Sequence, residues 1–188
     1  GLPRLDHAIH AALLLAFFSA RAGDRVGLFA FDERPGAFSA PRAGTVGSAG
    51  IGDPYFPLDG NGGIDVLHYD VRDTYEFGSG VLTGRTTLEV RATQDLSRFN
   101  LDFLLRVSRV RVDGRKAAFD RGNRHELRVT PATPLRAGET FTVRVEYRGR
   151  PALASFRDES NWLADAGEVV TMNEPHMAPC WFPAHHHP

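Results

Sequence analysis

The sequence holds a single cysteine, Cys180, so no intrachain disulfide can form and a disulfide-stapled scaffold is excluded. Lysine is as rare. Lys116 is the only one among 22 basic residues, a mark of GC-rich coding rather than of function. Neither sign of charge prevails: 23 acidic residues leave a formal net charge of −1, and no basic run marks a nucleic-acid or membrane surface. No apolar run is long enough to span a bilayer, and no internal repeat is evident. What remains is an ordinary globular composition. The chain has 188 residues, 42% apolar and 24% charged, enough for one good-sized domain or for a domain plus a fragment.

Residues 4–22 read as a helix. Leu5, Ala8, Ile9, Ala12, Leu13, Ala16, Phe17 and Ala20 recur at three- and four-residue steps and give one apolar stripe, which Gly23 stops. A secretory signal is the rival reading, since Ala20-Arg21-Ala22 fits a cleavage site, but Arg4 is its only leading basic residue and Asp6 stands beside it. The segment RVGLFAF, 25–31, then reads as a buried strand. Residues 33–63 are punctuated by Pro and Gly and keep no period, which puts a boundary near 44–50.

Beyond Gly63 the pattern is that of strands. Leu67, Tyr69, Val71 and Tyr75 alternate along one face, with Asp73 interrupting it. Leu88, Val90 and Ala92 follow, then Phe99, Leu101 and Phe103, then Leu127 and Val129. Phe141, Val143, Val145 and Tyr147 form the clearest strand of all. Asp113-Gly114 between alternating runs predicts a tight hairpin. The expected fold is mainly β: a twisted antiparallel saddle- or sandwich-like sheet over 64–188, a linker at 45–63 leading into it, and a helix–strand fragment at 1–44.

Four stretches carry a resemblance. GDPYFPLDGNGGIDVLHYDV at 52–71, ATQDLSRFNLDF at 92–103, FTVRVEYRGRP at 141–151 and MNEPHMAPCWFPAHHHP at 172–188 resemble, in order, the N-terminal domain of the aminopeptidase N family of zinc metallopeptidases. Residues 1–44 instead resemble a fragment of a bacterial von Willebrand A-like domain family, without the Asp-x-Ser-x-Ser that such domains use for metal. A lone helix–strand unit cannot bury its own faces, so no function transfers from it.

The first resemblance implies a domain that walls the substrate cleft of an enzyme removing N-terminal residues from peptides. In the full-length family enzyme, zinc bound by H-E-x-x-H activates water. Here His125-Glu126 begins that motif, but position 129 is Val and the segment reads as a strand. The family's Gly-x-Met-Glu-Asn substrate motif is absent as well. The zinc domain is therefore expected beyond Pro188. This chain alone is expected to be inactive and to bind no metal.

One site residue is implied. Glu174, in Met172-Asn173-Glu174, falls where the family sets a Glu or Gln against the α-amino group of the peptide substrate. His185 and His186 replace the family's Asn and Asp, which puts the lock at the domain junction in doubt. His185, His186 and His187 cannot all converge on one ion from a strand. His7 and His10, three apart, lack a third ligand. Cys180 reads as a small buried residue, Trp162 and Trp181 as core, and Gly60-Asn61-Gly62-Gly63 as a turn. The competing readings are a non-catalytic β-sandwich binding module and a chimeric or truncated product without function. The compartment stays open, with cytoplasmic preferred to secreted. No nucleic-acid or membrane partner is expected.

Overall fold

A computed structural model describes residues 44–51, 59–122, 125–156, 159–173 and 177–185, together with the backbone of two short strands near the N-terminus. The chain divides into two compact units, Gly1–Ala43 and Gly44–Pro188. In the first, β1 (Leu28–Phe31) and β2 (Pro35–Ser39) pair antiparallel. The helix expected over 4–22, with His7 and His10, lies outside the described residues.

The second unit is built from strands. They run β3 (Thr45–Val46), β4 (Ile64–Glu76), β5 (Val81–Ala92), β6 (Leu96–Asp102), β7 (Arg106–Val112), β8 (Arg115–Lys116), β9 (Ala118–Arg121), β10 (Glu126–Thr130), β11 (Thr140–Gly149), β12 (Trp162–Ala164) and β13 (Val169–Thr171). Two short 3-10 turns, Pro151–Leu153 and Ala178–Cys180, complete the described elements. The fold is therefore mainly β, as expected.

Two sheets face each other. One has the order β4-β5-β11-β7-β8 and is antiparallel throughout; the other has the order β3-β6-β10-β9, with β3 parallel to β6. Alternation explains the packing. Leu88 and Val90 of β5 and Phe141, Val143 and Val145 of β11 point inward against Phe99 and Leu101 of β6 and Leu127 and Val129 of β10. Aromatic pairs join the layers, Phe99 with Phe141 at 5.5 Å and Phe103 with Tyr147 at 4.8 Å between ring centroids. The Asp113-Gly114 hairpin is present. Both residues hold positive φ, 47° and 74°, the backbone a two-residue I′ turn requires.

Leu67 departs from the expected face. The register of β4 against β5 slips between Val66 and His68, so Leu67 is the extra residue of a bulge and is 48% exposed. Ile64 and Val66 face the core before the bulge, Tyr69 and Tyr75 after it. Asp73 does share the Tyr75 face, and it has a partner there: its Oδ1 accepts from the Tyr147 hydroxyl at 2.8 Å, and the buried Thr86 hydroxyl lies 3.0 Å from that tyrosine's hydroxyl oxygen. Tyr147 comes this close because Gly84, beneath it, has no side chain.

Candidate functional site

The last described segment, 177–185, is bound to the sandwich by its backbone. Leu104 N donates to Pro179 O at 2.9 Å, while Asp102 and Ala184 exchange hydrogen bonds of 2.8 and 2.9 Å. The Tyr69 hydroxyl accepts from His185 N at 3.0 Å. Burial pushes the Tyr69 hydroxyl above its usual range. Trp162 is core, and Trp181 packs on it at 6.1 Å. Cys180 is fully buried, and burial pushes its thiol up to about 11, which leaves it unreactive at neutral pH. Gly60 to Gly63 form a turn, as read from the sequence, and Asn61 within it is buried.

Glu174, His186 and His187 lie outside the described residues. The residues on either side of Glu174 are held tightly. Asn173 Oδ1 accepts from Asn161 Nδ2 and from Trp181 Nε1, both at 2.9 Å. The same Asn161 amide donates to Met177 O at 2.9 Å, and Met177 N donates to Asn173 O at 2.9 Å. Asn161 was not singled out in the sequence. Nothing in residues 161–177 marks a clamp except the recurrence of Asn beside Trp, which is too common to interpret.

A second constellation was also missed. Glu126 stands directly opposite Asp102 in the β10–β6 ladder, on the face away from the apolar core. His125 joins them. Its Nε2 lies 3.7 Å from Asp102 Oδ1 and 3.8 Å from Glu126 Oε1. All three are buried, at 1%, 6% and 2% exposure for Asp102, His125 and Glu126. Asn61 Nδ2 donates to Asp102 Oδ2 at 3.1 Å. The Phe156 ring meets the imidazole edge-on at 4.7 Å. Burial first, then the Asp102 charge, pushes the Glu126 carboxyl up to about 8, against the pull of Arg128. The sequence showed only half of an H-E-x-x-H here; the third member comes from a neighbouring strand.

Against solved structures, an M1 zinc metallopeptidase from Deinococcus radiodurans matches with TM-score 0.65 and 35% identity, over 74% of this chain and 33% of that one. The chain belongs to the M1 zinc metallopeptidases. A mutant of the Deinococcus metallopeptidase bound to a Tyr-Ser-Ala substrate matches to the same extent. Native leukotriene A4 hydrolase from Saccharomyces cerevisiae matches with TM-score 0.50 and 22% identity, over 66% of this chain and 21% of that one, a likeness of fold alone. No family model and no curated protein sequence matches. The chain spans about a third of the length of the Deinococcus protein, as an N-terminal domain of such an enzyme would.

Proposed function

We propose that this β domain forms one wall of the substrate cleft in a zinc aminopeptidase, with Glu174 receiving the free α-amino group of a peptide. The observation that carries the reading is the clamp around residues 174–176. Asn161 and Trp181 hold Asn173, and Asn161 and Asn173 hold Met177, so the residues on either side of 174–176 are fixed. A carboxylate presented from fixed ends can meet an ammonium without first losing much backbone freedom. The catalytic zinc, the general base and the peptide-bond chemistry belong to a catalytic domain, and this chain by itself hydrolyses nothing.

The test completes the chain with a matching M1 catalytic domain and replaces Glu174 by Ala. A charge-assisted hydrogen bond to an ammonium contributes about 1.5–3 kcal/mol. The variant should therefore lose roughly ten- to a hundredfold in kcat/KM on free-amine substrates, at about 1.4 kcal/mol per decade. Substrates with a blocked amine should lose much less. Equal losses on both would make Glu174 structural.

One observation favours a binding role beside this one. Leu163, Val170 and Met172, on and just after the β12–β13 hairpin, are all more than half exposed. Such an apolar face is a surface for protein contact. If the isolated domain carries it into a complex with a separate protein, and completion with a catalytic domain leaves it bare, the domain is a binding module.

A further inference from the structure

We propose that Asp102, His125 and Glu126 form a structural site for one zinc ion, fastening β6, β10 and the segment 177–185 together.

The case begins with charge. Asp102 and Glu126 are directly opposed across an antiparallel pair, where like charges destabilise a sheet. Both are buried, and a buried carboxylate is tolerated only with compensation. Neither oxygen of Glu126 has a hydrogen-bond partner among the described residues. That side chain is 2% exposed and aimed at the imidazole.

Geometry says what would compensate. The 3.7 and 3.8 Å separations from His125 Nε2 are too long for hydrogen bonds. They suit two ligands that share an ion. Donors about 2.0–2.2 Å from zinc, at angles of roughly 110–130°, stand about 3.4–3.8 Å apart. One ligand atom from each of the three side chains lies within 4.8 Å of the others. One imidazole nitrogen and two carboxylate oxygens suit a borderline divalent ion, and its two positive charges neutralise both carboxylates. The surroundings are those of a ligand shell: Asn61 fixes the Asp102 carboxylate through Oδ2, and Phe156 shields the imidazole. Because Asp102 is bonded through its backbone to Ala184, an ion here ties the sandwich to the segment that follows Glu174. The site uses none of residues 172–176, so it stands or falls apart from the amine-anchor reading.

The experiment titrates Zn2+ into chelator-treated chain and reads stoichiometry by calorimetry and Tm by thermal melting. The run His185–His187 can itself capture zinc, so the deciding protein carries His186→Ala and His187→Ala. It should bind one equivalent of Zn2+ and melt at a higher temperature with it. Adding Glu126→Gln, which keeps the shape and removes the charge, should weaken binding at least a hundredfold while far-UV circular dichroism is unchanged. His125→Gln should do the same. If Glu126→Gln does not fold, the His186→Ala/His187→Ala chain still decides by its stoichiometry. Absence of binding there, or binding that survives Glu126→Gln undiminished, overturns the proposal. The Glu126 carboxyl would then carry a proton in place of an ion.

Discussion

Gly84→Ala tests how closely the two sides of the β5 strand are packed. Gly84 sits between Asp73 of β4 and Tyr147 of β11 in the ladder. A Cβ there would stand 2.1 Å from Asp73 Oδ1, 2.2 Å from Tyr147 Cε2 and 2.4 Å from Tyr147 Cζ. Asp73 can swing toward solvent. Tyr147 cannot yield as easily: it is 1% exposed, stacks edge-on with Phe103 at 4.8 Å and holds Thr86 through its hydroxyl. Overpacking of this kind costs about 1–3 kcal/mol. Alanine's advantage over glycine within a strand returns roughly 0.5–1 kcal/mol. The net loss should be about 1–2 kcal/mol, or roughly 2–8 °C in Tm for a domain of this size. Urea unfolding and calorimetry would measure it. The cause is isolated by repeating the substitution in a Tyr147→Leu background, where the ring edge is gone and the added methyl should cost almost nothing. Equal losses in both backgrounds, or no loss in the first, would refute the steric account.

Tyr147→Phe should cost about 1 kcal/mol by stranding the buried Thr86 hydroxyl. Its cost should also depend on pH. Burial holds Asp73 above the ordinary aspartate range while the Tyr147 hydroxyl pulls it back, so loss of the hydroxyl raises it further. A native state that binds a proton more tightly than the unfolded chain loses stability as pH rises through that range, so urea melts should show a larger deficit at pH 7 than at pH 3. Asn161→Ala, in the completed enzyme, should lower kcat/KM on free-amine peptides about three- to tenfold with less effect on blocked ones, since it releases both ends of the 174–176 gap; a uniform loss on both would make it merely structural. Cys180 should resist alkylation at pH 8 in the native chain and react promptly in 6 M urea; rapid native labelling would contradict its burial.

Much of the β architecture was legible because the period of two is written in Phe141, Val143, Val145 and Tyr147, and because Asp113-Gly114 permits few other turns. Leu67 was misplaced for a specific reason. A bulge exchanges the two faces of a strand, and nothing in the residue pattern announces the slip. The Asp102–His125–Glu126 constellation, of which the sequence offered only His125-Glu126, was hidden for another. Its members are neighbours through register across two strands, and register follows from the packing of the whole sandwich rather than from local sequence. Asn161 illustrates the same limit, since its value lies in reaching both Asn173 and Met177. The Glu174 reading came from ordered motifs rather than from chemistry that residue type alone could reveal.

The position of β11 bears on how this chain can be made. In the five-stranded sheet it lies between β5 and β7, both of which precede it in sequence. Until residue 149 has left the ribosome, β5 presents an open edge and β7 lacks its central neighbour. At roughly 5–20 residues per second, that edge waits several seconds for its partner. No shorter N-terminal piece can close the sheet, so a nascent chain halted before Thr140 is a substrate for chaperones and proteases rather than a smaller folded protein.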